Sequence, residues 1–177
     1  PSLVATAVVR SLAPLITALL CAGKVGSSIG AELSSMKVTE QLEALTVSGV
    51  DPYRYLVVTR TLAITLMVPV LTAYFGLVAT LGAFSNIALN DGLGFVAFLQ
   101  SAFTVLELLD IGGTLLRAVT FGFTIGIISS LAGFSADQGT RGVGRAANRA
   151  VVMSMLIIFL EEVLIVQILN IARTWGG

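Results

Sequence analysis

Between Arg60 and Asp91 the chain reads TLAITLMVPVLTAYFGLVATLGAFSNIALN (residues 61–90), thirty residues without a charged side chain. A helix that crosses the hydrocarbon core of a bilayer needs about 20 consecutive apolar residues. This run covers that thickness and leaves length for tilt or for an extension beyond the membrane. Pro69 lies inside it and is expected to kink the helix, because proline removes one main-chain hydrogen bond and crowds the preceding turn.

The same signal recurs on both sides. A span is expected from about Gly112 to Phe134, charge-free between Ala118 and Ala136, and another from about Ala150 to Ile171, interrupted by Glu161-Glu162. The first apolar stretch, about Leu3 to Ile29, contains Arg10, Pro14 and Lys24, and reads as a span whose polar residues face protein or water. Phe95 to Leu109, about fifteen residues, is too short to cross and reads as a helix lying at the outer interface. Composition agrees: 56% of the 177 residues are hydrophobic and 11% charged, against about 25% charged in a soluble domain. Mean hydropathy is +0.97. The expected fold class is all-α, a polytopic helical membrane protein with four spans in one transmembrane domain over residues 1–177. Because apolar sequence begins at once at Pro1, an upstream segment is expected to precede it.

Several functions are excluded on residue chemistry. The net charge is zero and no basic run is interleaved with aromatics, which argues against nucleic acid as a partner. The chain has no histidine, so Ser-His and Cys-His nucleophiles and His-ligated metals are ruled out. Cys21 is the only cysteine and cannot form an internal disulfide. Gly23-Lys24-Val25 lacks the glycine loop and Ser/Thr of a nucleotide-binding P-loop, so ATP hydrolysis by that route belongs elsewhere. No catalytic, cofactor-binding or metal-binding residue is assigned.

The connections sort by charge. The link from Ala31 to Arg60 carries Lys37, Arg54 and Arg60, and that from Ser135 to Arg149 carries Arg141, Arg145 and Arg149. The turn at Asn86 to Gly94 has Asp91 and no basic residue. The positive-inside bias therefore puts the two basic links in the cytoplasm. The Asn86–Gly94 turn and the C-terminus fall on the other side, where Arg173 is a minor exception and Trp175 suits an interfacial anchor.

The first basic link is more than a loop. A short amphipathic helix is expected over residues 36–48, capped by Ser35, with Val38, Leu42 and Leu45 forming one apolar stripe at i, i+4 and i+7. Glu40 and Glu43 fall away from that stripe, Glu40 near the positive end of the helix dipole. Gly49 supplies a stop, and Asp51-Pro52 restarts a helix as cap and first residue. Such a helix can lie on a membrane or dock into a partner. Its acidic polar face favours a protein partner over an anionic lipid surface.

Two further features bear on packing and charge. Ala22, Gly26 and Gly30, then Gly122 and Gly126, place small residues four apart, suited to close helix packing within the chain or along a dimer seam. Glu161 and Glu162, about 100° apart on a helix, cannot form a facing acid/base pair. A lone charge inside a bilayer is costly, so a structural ion pair, a headgroup or gating role, or a proton relay are the open readings, with Arg10 and Lys24 as candidate partners. Glu32, where the first helix leaves the membrane, reads as a cap or as an ion pair to a neighbouring helix, with coupling between cytoplasmic helix and membrane cavity as the alternative. Gly142-Val-Gly144 reads as a tight turn entering the last span.

The run GAELSSMKVTEQLEALTVSGVDPYRYLVVTR (30–60) resembles the signature of the MlaE/YrbE permease family, also called the Mce-associated permeases. GVGRAANRAVVMS (142–154) and the pattern Asp110…Arg117…Phe121-Gly122 match in the same order. The resemblance implies an ATP-driven ABC-type phospholipid transporter in the bacterial inner membrane, maintaining outer-membrane lipid asymmetry, with about five spans and an N-terminal interfacial helix. It further implies a homodimer, an ABC ATPase that binds ATP and Mg, an MCE-domain protein on the outer side and a STAS-domain protein on the ATPase. Lys37, Val38, Glu40, Gln41, Leu42 and Leu45 would make up the coupling helix that meets the ATPase. Glu32, Arg10, Lys24, Arg117 and Glu162 would be gating or lipid-cavity residues. Arg117 stands where the family often has lysine, and Glu162 where it usually has aspartate. Arg141 departs from the acidic residue common before Gly-Val-Gly. A carrier driven by an ion gradient, the rival, would show inverted repeats with interrupted helices, and the sequence shows no repeat. An intramembrane enzyme would need the histidine or facing acids that the sequence lacks.

Overall fold

The computed structural model describes residues 12–91 and 108–176, and every regular element among them is helical. The expected interfacial helix at Phe95–Leu109 lies almost wholly outside the described residues, as does Arg10. In chain order the helices are α1 (Ala13–Cys21), a π turn (Ala22–Gly26), α2 (Ser27–Val38), α3 (Gln41–Val47), α4 (Pro52–Asp91), α5 (Leu108–Phe134) and α6 (Thr140–Gly176). Four stretches are long and apolar enough to cross a membrane: Ala13–Val38, Pro52–Gly82, Ile111–Phe134 and Thr140–Ile171.

Burial distinguishes these spans. Half of the most apolar stretch of the first and 56% of that of the third are covered by the rest of the bundle, against 22% for the second and 17% for the fourth. The first and third spans therefore form the centre, with α5 packed on α4, α6 and α2. The core gathers where they meet, around Ala18, Ala22, Val68, Phe121, Ile125 and Ile158. The outer faces of α4 and α6 stay apolar, with Leu62, Leu66 and Val70 on one and Leu156, Leu160 and Val163 on the other more than 55% exposed. In a membrane such surface meets lipid tails or another helix rather than water.

Glycine lets the helices approach this closely. A Cβ on Gly126 would stand 2.7 Å from Thr61 Cα, and one on Gly122 would stand 2.9 Å from the Ile64 carbonyl oxygen and Thr65 Cα, so α5 rests backbone to backbone on α4. A Cβ on Gly30 would stand 3.0 Å from Ala150 Cβ, against α6, and one on Gly133 would stand 2.6 Å from Leu33 Cβ, against α2. The small-residue faces are thus spent on packing within the chain, the first of the two uses expected of them. Main-chain carbonyls of the spans also take hydroxyl donors, as from Thr65 to Thr61 at 2.6 Å and from Thr72 to Val68 at 2.8 Å. Helix α4 is continuous across Pro69.

Several boundaries differ from expectation. The two basic links are mostly helix: α2 runs on to Val38, and Arg141, Arg145 and Arg149 sit in the first turns of α6. The helix expected over 36–48 is divided. Ser35 lies inside α2, where its carbonyl accepts from the Thr39 main-chain N–H at 3.0 Å and from the Thr39 hydroxyl at 2.9 Å. Glu40 then takes a left-handed conformation (φ 59°), and α3 restarts at Gln41 with Glu40 as its N-cap. At the other end, Asn86 to Asp91 are still helical, and residues 92–94 lie outside the described residues. The turn into the last span is made at Gly139 (φ 92°), not at Gly142–Gly144. Gly142 instead meets the Asp137 carbonyl so closely that any Cβ would collide with it.

Candidate functional site: the basic end of the bundle and a buried ion pair

At the basic end of the bundle three ties hold the short helix α3 and its neighbours. Glu32 on α2 faces Arg60 on α4 in a two-pronged ion pair, Nη1 to Oε2 and Nη2 to Oε1, both at 2.7 Å. Lys37, near the end of α2, donates from Nζ to the carbonyl oxygens of Phe134 at 2.8 Å and Ala136 at 2.9 Å. The Phe134 carbonyl closes α5, where a helix has no partner of its own to offer and its dipole favours a cation. The Tyr53 ring lies 4.5 Å from the Phe134 ring, so the start of α4 joins the same knot.

Helix α3 sits on this knot by its apolar side. Leu42 and Leu45 pack on Ile29, Leu33 and Leu56, with Met36 and Phe134 beside them. Val38 is half-buried at the end of α2. The opposite face carries Glu40, Gln41, Glu43, Ala44 and Val47, all exposed, and Val47 is 90% accessible. Gly49 (φ 82°) ends the segment. The Asp51 carboxylate then caps α4 by accepting from the Tyr53 N–H at 3.0 Å and the Arg54 N–H at 3.3 Å, with Pro52 as first helical residue.

A second polar group lies between α5 and α6. Arg117, 2% exposed, places Nη1 3.4 Å from Glu162 Oε1. Thr124, seven residues along the same face of α5, donates its hydroxyl to Glu161 Oε1. Both carboxylates of α6 are therefore served from one helix, and the second oxygen of each is buried without a hydrogen-bond partner among the described residues. Of the candidate partners for this acidic pair, Lys24 is not the one used. It sits exposed in the π turn, where the Ser27 hydroxyl donates to the Gly23 carbonyl at 2.6 Å and the Lys24 carbonyl at 3.0 Å. Such wide turns interrupt the regular helix ladder, and they occur often at functional sites.

The structure thus joins Glu32 to Arg60, Lys37 to the end of α5, and Glu162 to Arg117, and it keeps Lys24 apart from them. Arg60, Thr124 and Gly133 were not singled out in sequence. Charge and hydroxyl type mark Arg60 and Thr124 as polar, while Gly133 carries no such mark, and rotation about a helix axis decides each contact. At the α5–α6 turn the ion pair joins Arg145 and Asp137 at 3.7 Å, both side chains more than three-quarters exposed, and does not involve Arg141. No cluster of metal-ligating side chains occurs among the described residues.

Four helices long and apolar enough to span, with basic charge gathered around a short helix at one end, define a multi-pass membrane protein. The model of one protein family, described as Permease MlaE, matches residues 1–168. A probable ABC transporter permease protein of Rickettsia typhi is 38% identical over 168 residues, covering 95% of this chain and 65% of that protein. One of Synechocystis is 39% identical over 156 residues, covering 86% of this chain and 58% of its own length. The Arabidopsis thaliana protein trigalactosyldiacylglycerol 1, chloroplastic, is 36% identical over 156 residues, covering 86% of this chain and 44% of its length. The chain belongs to the MlaE permease family. It spans less than two thirds of the length of these relatives.

Proposed function

We propose that this chain is the membrane subunit of an ATP-driven transporter that moves phospholipid between the bacterial inner membrane and an MCE-domain protein. The ATP and Mg would bind a separate ABC ATPase, and two copies of the permease would enclose the lipid path. One observation carries the reading. The short helix α3 stands at the basic end with an exposed face and is tied rigidly to the spans behind it. Motion delivered to α3 passes through Lys37 to the end of α5 and through Glu32–Arg60 to α4, the two helices that meet at the Gly122 and Gly126 contacts.

The face available to the ATPase is Glu40, Gln41, Glu43, Ala44 and Val47, while Leu42 and Leu45 hold α3 to the bundle. The Arg117–Glu162 pair serves as the charged lock between α5 and α6 that such motion would load. A STAS-domain protein bound to the ATPase fits the same assembly. The test is purification in mild detergent with identification of what accompanies the chain, followed by lipid transfer in reconstituted vesicles. Recovery of an ABC ATPase and transfer that needs ATP support the proposal. Purification without an ATPase, together with solute movement driven by an ion gradient, would overturn it.

A further inference from the structure

Two cavities on the outer side of the α5–α6 pair merge into one groove, since both are lined by Ala132, Ser135, Arg149 and Met153. The larger, about 370 Å³, opens at the basic end beside Arg145, Asn148 and Arg149. The smaller, about 230 Å³, continues along Ile128, Leu131 and Ile157. Its walls are apolar and accessible: Leu131 is 60% exposed and Met153 41%. The mouth is polar and basic. Asp137 also lines it but is paired with Arg145, whereas Arg149 is exposed and has no ion pair among the described residues. Gly142, in the first turn of α6, lines the same mouth, so the positive end of a 37-residue helix lies beside it. A cationic mouth at the membrane boundary that leads into an apolar trough matches a molecule with an anionic head and a hydrocarbon tail. Charge complementarity therefore selects the occupant.

We propose that this groove binds an anionic phospholipid of the leaflet at the basic end, with its phosphate on Arg149 and one acyl chain along Leu131, Met153 and Ile157. This lipid resides on the outside of the α5–α6 pair and is separate from any cargo, so the inference stands or falls independently of the transport proposal.

Native mass spectrometry of the intact permease, released from micelles doped with phosphatidylglycerol or phosphatidylcholine, tests it. The wild type should retain phosphatidylglycerol in preference to phosphatidylcholine. R149Q should lose about tenfold of that retention, the equivalent of one charge-assisted hydrogen bond, and R149K should keep most of it. M153W, which fills the trough and leaves the mouth intact, should lose both lipids. A single symmetrical elution peak shows that each variant is folded. Equal retention of phosphatidylglycerol by the wild type and R149Q would overturn the proposal. So would Arg149-dependent binding of inorganic phosphate that displaces no lipid, which marks a free-anion site. Disulfide cross-linking of two copies through M153C would also overturn it, because a second copy would then cover the groove.

Discussion

Arg60 holds Glu32 through both ends of its guanidinium, joining α2 to α4 across 28 positions of sequence. The two ends of the link that contains α3 are thereby fixed to each other, and Gln41–Val47 is carried on a closed frame. A helix of seven residues is too short to be stable alone. Its shape depends on that frame and on the Leu42 and Leu45 contacts.

The strength of this pair can be measured. Glu32 is 57% exposed and Arg60 19%, so solvent screens much of the attraction. A double-mutant cycle with Glu32→Gln and Arg60→Gln should give a coupling of about 1 kcal/mol in thermal unfolding in detergent. The charge-reversed double variant Glu32→Arg/Arg60→Glu should recover part of the loss. A coupling of zero would show that the pair contributes nothing to the frame.

The glycine contacts give larger effects. Gly126→Ala forces a methyl group to within 2.7 Å of Thr61 Cα, and Gly133→Ala forces one to within 2.6 Å of Leu33 Cβ. Each should destabilise by about 1–3 kcal/mol through separation of packed helices. Gly76→Ala and Gly82→Ala meet no neighbour within 4 Å and serve as controls on α4, expected to be neutral or slightly stabilising. Unfolding temperatures that fail to separate the two sets would refute the backbone-to-backbone packing of α5.

How far the sequence reached follows from which signals survive without a partner. The run from Thr61 to Asn90 declares a span by itself, because thirty uncharged residues exceed the roughly 20 that the hydrocarbon core requires. Gly49, Asp51 and Pro52 act on their own backbone and were equally legible. The division at Thr39–Glu40 was not, since Val38, Leu42 and Leu45 keep helical spacing across it. The break comes where Glu40 turns left-handed, a conformation that residue type does not announce. Partner choice was hidden for the same kind of reason. Glu161 and Glu162 signalled a need for compensation, yet only the rotation of α5 shows that Arg117 and Thr124 supply it.

Lys37 should act as a staple. Replacing it with methionine keeps the stem and removes both donations to the end of α5, at a cost of about 1–2 kcal/mol, reduced by the exposure of the ammonium group. The expected local sign is faster amide hydrogen exchange in residues 135–139 with little change at the far end of α5. Uniform exchange across the chain would assign Lys37 no local role.

The Arg117–Glu162 pair behaves differently because Arg117 is 2% exposed and Glu162 14%. Arg117→Met leaves a carboxylate facing apolar surroundings and should cost about 3–5 kcal/mol. Glu162→Gln should be milder, because glutamine can still accept from the guanidinium. The paired variant Arg117→Met/Glu162→Met should regain most of the stability, since it removes the charge and its compensation together. If the paired variant unfolds as readily as Arg117→Met alone, Arg117 does more for the fold than compensate Glu162. If it is stable but fails in the proposed lipid transfer, the charges serve movement rather than folding.

The two faces of α3 make separable demands, and one pair of variants distinguishes them. Leu42 lies half-buried against Leu33 and Leu56, so Leu42→Asp should lower stability by about 1–3 kcal/mol and weaken ATPase binding only as a consequence. Val47, 90% accessible, supports nothing in the bundle, and Val47→Asp should leave the unfolding free energy within about 0.5 kcal/mol of the wild type. If α3 docks as proposed, this exposed apolar side chain beside Glu43 lies on the face that meets the partner. Val47→Asp should therefore cut ATPase co-purification sharply. Wild-type recovery of the ATPase with Val47→Asp would move the docking surface off α3's outward face. Loss of stability in Val47→Asp would mean that the face is covered by part of this chain instead.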